Sequence, residues 1–262
     1  MSMRTGLTVV LWAAFGLGVG AVGSAHGDNH QSPQTAQACT EGGYMLVMGG
    51  IEDPSTVPDR ERAQSYSPAV WGLVEHYNAF YVLRGPPETV YEGDWPAWKA
   101  AVISKWPCRE TGSEFWYSDA YQNDVKPRRK DAGVYDVGMF NAGPKFPPAE
   151  NQDLVPASCS TPYLVITMSK VTDTDAYGQY TAAIQKTNIA RRAGFQMLLG
   201  GQPKEVLEGD WPSDYNTMVM AFPCKGAWEA FYVGEPYVSD ILPLRRDAGD
   251  FIIVGFEPER VE

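Results

Sequence analysis

The sequence predicts an α+β protein in which one strand–helix–strand–strand–helix–strand unit is written twice. Three observations predict it. VYEGDWP at 90–96 returns as VLEGDWP at 206–212, WPC at 106–108 returns as FPC at 222–224, and KDAG at 130–133 returns as RDAG at 246–249. All three pairs share one ungapped offset of 116 residues, so the register holds from a turn, through a strand, to the far end of a helical region. Each residue of one copy can therefore be tested against its counterpart.

The second copy is the cleaner text. Residues 163–168 (YLVITM) form a β-rich apolar run, and the oxygen-bearing side chains at 172–175 suit a helix start. From 176 to 192 Tyr177, Tyr180, Ala183 and Ile184 recur at helical spacing. Gly194 then ends the helix as a left-handed cap, and its partner in the first copy is Asn78, the other residue type that tolerates that conformation. The second strand runs from Phe195 into 206–207, a turn at 209–214 reverses the chain, and 217–222 is the third strand, closed by Pro223. Segments 225–233 and 237–246 read as helical, broken by Gly234 and Pro236, and 251–256 is the last strand. The first copy repeats this order: a strand over 44–48, a helix around 69–77, strands over 80–91 and 99–106, helical stretches within 111–130, and a strand over 134–140. An acidic, Pro-containing stretch at 53–68 lengthens its first crossover, and the four prolines of 141–158 read as a linker. The order is that of two ferredoxin-like βαββαβ domains with antiparallel sheets, over 43–141 and 161–258, joined by a Pro-rich linker at 142–160.

The chain begins with Arg4 ahead of an apolar, glycine-broken run at 7–22 and small residues at 23–25, the pattern of a signal peptide over 1–25. A polar tail with Cys39 follows at 26–42. A net charge of -11 excludes nucleic acid and anionic lipid as natural partners. The expected state is a periplasmic or secreted protein without a membrane partner once the signal is cleaved. It would be a monomer of two fused repeats, or a higher assembly of that monomer. Four cysteines, one pair per copy, read as structural disulfides. In the predicted topology the start of the first strand lies beside the end of the third, where Cys39 and Cys108 fall in one copy and Cys159 and Cys224 in the other. This favours pairing within each copy over crossed pairing, with each bridge contributing on the order of 4 kcal/mol in the chain-entropy model.

EGDWP in the hairpin, an aromatic–Pro pair closing the third strand, FWYSDAYQ at 115–122 and a late Arg together resemble the domain-of-unknown-function 1330 family, of the dimeric α/β-barrel superfamily. The resemblance covers 44–140 and 163–256. It implies that two sheets, supplied by separate chains in single-domain members, face each other within this one chain as an intramolecular barrel. The superfamily includes cofactor-independent monooxygenases, isomerases and haem enzymes, so the resemblance carries fold further than reaction.

The candidate site residues each have a structural reading beside the functional one. Glu92 and Glu208 could act as acid and base, yet with Asp94 and Asp210 they sit in a repeated turn where Gly93 and Gly209 supply positive φ and Trp95 or Trp211 packs. Trp116, Tyr117 and Tyr121 could line a pocket and donate from a phenol, or pack as core. Arg129, paired with Arg245, could clamp a carboxylate or complement a helix end, and Arg84, replaced by Gly200, is a cation of the first copy only. His76 is the one histidine outside the N-terminal tail, and the second copy offers no axial ligand for a haem. No cofactor and no metal is expected. Three roles follow: a binder of a small aromatic or acidic molecule in a sheet–helix pocket of the first copy; a cofactor-free enzyme using Tyr117 or Tyr121 with Arg129 and Glu92; and a scaffold without ligand.

Overall fold

The computed structural model describes Cys39 and residues 41–258. The expected signal peptide and almost all of the polar tail lie outside the described residues. Ten strands form two five-stranded antiparallel sheets. In the first half these are β1 (Gly43–Gly50), β2 (Phe80–Gly85), β3 (Thr89–Glu92), β4 (Ala100–Trp106) and β5 (Val134–Asn141). In the second they are β6 (Tyr163–Val171), β7 (Gln196–Gly201), β8 (Glu205–Glu208), β9 (Asn216–Phe222) and β10 (Gly249–Phe256). The orders are β2-β4-β1-β5-β8 and β3-β10-β6-β9-β7. Without β3 and β8, each half is the ferredoxin-like order read from the sequence, with the strand after the hairpin between the first two.

The exchange of β3 and β8 departs from the expected single strands over 80–91 and 195–207. Each breaks in two, at Gly85-Pro86-Pro87 and at Gly200-Gly201-Gln202-Pro203, because a proline cannot donate to a ladder and Gly85 and Gly201 take positive φ (139° and 96°). The chain beyond the break crosses to the other half. Glu92 and Val90 pair with Ile253 and Val254 of β10, and Glu208 and Val206 pair with Val137 and Gly138 of β5. The recurrent EGDWP is the tip of this arm. Gly93 and Gly209 have φ of 76° and 78°, and Trp95 and Trp211 behind them are buried.

Strand β1 is apolar throughout because both its faces are covered. Tyr44, Leu46 and Met48 enter a central core, while Met45 and Val47 turn toward the helices. Leu164, Ile166 and Met168 of β6 enter that same central core from the other half, and Tyr163 and Val165 face its helices. The two sheets thus pack face to face. Among the described residues no ladder joins them, so the expected closure into one barrel reduces to two sheets around one core.

The crossover helices also start where local chemistry dictates. Asp173 caps Thr174–Thr187 by accepting from the N–H groups of Asp175 and Ala176, both at 2.9 Å. The stretch read as a lengthened crossover in the first half holds a short helix, Arg60–Gln64, capped by Asp59, ahead of Tyr66–His76. Asn78 and Gly194 both take positive φ (54° and 77°), as their paired positions predict. After the helices that follow β4 and β9, Arg109–Tyr117 and Lys225–Tyr232, comes a π-helical turn, Ala120–Val125 and Tyr237–Ile241, that buries Tyr121 and Tyr237.

The disulfides are Cys39–Cys108 and Cys159–Cys224, the within-copy pairing. The linker is strapped to the second half: Arg191 donates to the Pro147 carbonyl at 2.9 Å, Arg192 holds Asp153 through two bonds, and Gly143 N–H donates to the Leu198 carbonyl at 2.7 Å.

Two arginine sites and a cavity in the second half

Arm exchange decides which carboxylate meets which arginine. Arg129, at the end of the first half's helical region, is buried and faces the arm of the second half. Its Nη1 and Nη2 donate to the two oxygens of Glu208 at 2.7 and 2.9 Å, a bidentate pair. Lys126 Nζ reaches the same carboxylate at 2.9 Å. Burial alone would raise the Glu208 carboxyl, but Arg129 and Lys126 outweigh it and hold it below its ordinary value. Arg129 also donates to Tyr121 Oη at 3.3 Å, and Tyr121 shares a 3.1 Å bond with Tyr66. Its guanidinium lies over Tyr135 at 4.6 Å.

The second half mirrors this. Arg245 donates to Glu92 of the first half's arm, and Tyr232 Oη donates to the same carboxylate at 3.0 Å. Tyr180 and Tyr237 meet at 3.4 Å, as Tyr66 and Tyr121 do. Burial raises Tyr121, Tyr180 and Tyr237 above the ordinary phenol value and pushes Tyr232 up to about 12. These phenols are therefore neutral near pH 7 and act as hydrogen-bond partners rather than bases.

The residues singled out in the sequence fall into several places. Tyr121 and Arg129 meet at the first site, with Trp116 packed against Tyr121 at a ring distance of 4.8 Å. Glu92 is not there: the exchanged arm carries it to Arg245, and Glu208 takes its place. Tyr117 is 59% exposed and donates to Glu205 at 3.0 Å on the outside of the protein. Arg84 stacks on Trp71 at 4.3 Å and lies 5.3 Å from the centre of the Tyr81 ring. His76 is exposed at the end of its helix and lines neither cavity described below.

The repeat position of Arg84 is Gly200, and there the second half opens. A cavity of about 310 Å³ is lined by Tyr177, Tyr180, Ser169, Met197, Met218, Thr217, Gly200, Phe251 and Arg245, with part of the linker along one side. Three successive residues of β9, Asn216 to Met218, line it, so it wraps the start of that strand. Two buried polar atoms among its lining residues have no partner, Thr217 Oγ1 and Arg245 Nε. Thr217 is fully buried and stands where the first half has Ala101. Sequence reasoning found Arg245 only as the counterpart of Arg129.

Two ferredoxin-like units sharing one core, each completed by the other's arm, define a tandem α+β protein with one arginine-lined cavity in its second half. The chain belongs to the family described as a domain of unknown function (DUF1330), whose model matches residues 51–140 and 161–256. No curated protein matches it in sequence. Among solved structures it is similar to a provisional monooxygenase from Fusobacterium nucleatum, at 9% identity and a TM-score of 0.50, covering 83% of this chain and 92% of that one. A provisional monooxygenase from Lactobacillus acidophilus follows at 11% identity and a TM-score of 0.45, over 82% and 93% of the two chains. A chlorite dismutase mutant from Candidatus Nitrospira defluvii, in complex with cyanide, gives 12% identity and a TM-score of 0.47, over 85% and 92%. The likeness is one of fold. A haem has no imidazole at either arginine site, because the one described histidine lies elsewhere. No helix among the described residues is long and apolar enough to cross a membrane.

Proposed function

We propose that this protein binds, without transforming it, a small molecule with an aromatic body and an acidic head in the cavity of its second half. The observation that carries this reading is the cavity lining, in which the Arg245 guanidinium lies 4.8 Å over the Phe251 ring beside Tyr177, Tyr180 and Met218. The lining suits such a guest: aromatic and thioether side chains for its body, a guanidinium for its acid. A volume of about 310 Å³ stands at the lower end of ligand pockets, which limits the guest to roughly one or two rings. The neutral phenols nearby and the carboxylates already engaged by arginine support binding over acid–base chemistry. The two disulfides support a site of action in an oxidising compartment, periplasmic or extracellular, reached through the N-terminal signal.

Native mass spectrometry of the protein purified from its host, with 4-hydroxybenzoate as an added probe, tests the reading. A retained small mass or a probe adduct is expected, and Gly200→Met, whose side chain fills part of the cavity, is expected to weaken probe binding. Probe affinity in that variant falls by roughly tenfold. Absence of any adduct, or a probe affinity unmoved by Gly200→Met, would sink it.

A further inference from the structure

We propose that the first half carries a second site, at the mouth of its arginine cluster, for a hydrogen phosphate group, free or as a monoester. It is separate from the cavity of the second half and stands or falls independently of it. The chain carries a net charge of -11, yet Lys126–Lys130 reads KPRRK, where the second half has LPLRR. Beneath that run lies a cavity of about 350 Å³ whose lining includes Gln122, Lys126, Arg129, Lys130, Asp131 and Glu208. Arg129 is 9% exposed, and its Nε is buried without a partner.

The charge balance selects the ligand. Lys126, Arg129 and Lys130 supply three cations, and Glu208 and Asp131 supply two carboxylates, so the lining is cationic by one. Lys126 uses one of its three donors on Glu208, at 2.9 Å. Gln122 gives its amide to the Trp116 carbonyl at 2.6 Å and has a second N–H. An oxyanion entering here meets ammonium donors and two carboxylates together. Hydrogen phosphate fits both, because it accepts from the lysines and donates its own P–OH to a carboxylate. Sulfate and a dicarboxylate carry no such proton near pH 7 and meet the carboxylates as like charges.

Calorimetric titration of the folded protein at low ionic strength with inorganic phosphate, sulfate, succinate and glycerol 2-phosphate tests this. The same titrations on Lys126→Leu and Gln122→Val, which install the residues of the second half, complete the set. Phosphate is expected to bind at least about tenfold tighter than sulfate or succinate, and Lys126→Leu to weaken it by about tenfold or more. Gln122→Val, which leaves the Glu208 ion pairs in place, is expected to weaken it several-fold. Binding of glycerol 2-phosphate as tight as that of phosphate assigns a monoester, and its exclusion assigns the free ion. Gly200→Met, which narrows only the other cavity, is expected to leave phosphate affinity unchanged. Phosphate no tighter than sulfate, or affinity unmoved by both first-half variants, overturns the proposal.

Discussion

Gly209→Ala and Gly93→Ala will each destabilise the protein by about 3 kcal/mol or more. Two costs combine. Both residues have left-handed backbones, at φ 78° and 76°, where an L side chain is strained by about 1–2 kcal/mol. The added Cβ would also stand 2.3 Å from the Tyr135 carbonyl oxygen for Gly209, and 2.5 Å from that of Phe251 for Gly93. Those oxygens belong to the opposite half, so the clash lifts the arm off the sheet it completes. Gly201→Ala is the internal control. Its φ is 96°, but nothing lies within 4 Å of its Cβ, and only the backbone strain applies. Urea denaturation checks all three. Arm variants no worse than Gly201→Ala would mean that the EGDWP glycines serve their own turns and not the docking.

The second large effect concerns charge. Arg129→Met leaves Glu208 to Lys126 alone and is expected to cost about 3 kcal/mol, the low end for removing the buried partner of an ion pair. Glu208→Gln is expected to cost less, because its side chain is 24% exposed and water compensates part of the loss. The pair also sets a pH dependence. Arg129 and Lys126 depress the folded carboxyl of Glu208, so its contribution is complete above the ordinary carboxyl value near 4.5. It disappears as pH falls through the depressed folded value. The stability gap between wild type and Glu208→Gln should therefore be widest at pH 7 and close on acidification below 4.5. A gap that persists unchanged at pH 3 would contradict the ionic account.

Local chemistry made much of this fold legible. The left-handed Asn78 and Gly194 followed from one helix end read in two copies, and the within-copy disulfides followed from a topology that placed each cysteine pair at adjacent strand ends. The arms did not follow. Residues 80–91 and 195–207 are apolar enough to read as single strands, and the prolines at 86, 87 and 203 mark only that a ladder must stop. Which sheet the chain joins next depends on a partner more than a hundred residues away, and no local pattern encodes that choice. The same gap misled the site reading. Glu92 is near Arg129 in sequence and belongs to Arg245 in space. The fuller aromatic motif of the first half also drew attention away from the second. There the absence of a side chain at Gly200 leaves room for the cavity.

Reciprocal exchange of arms is the claim on which both arginine sites depend, and a pair of double-mutant cycles tests it most directly. Arg129→Met is combined with Glu208→Gln in one cycle and with Glu92→Gln in the other, each read by urea denaturation at pH 7. The exchanged arrangement predicts a coupling of about 1.5 kcal/mol or more between Arg129 and Glu208, and between Arg129 and Glu92 a coupling within about 0.5 kcal/mol of zero. Coupling of Arg129 to Glu92, with none to Glu208, would show that each hairpin returns to its own half.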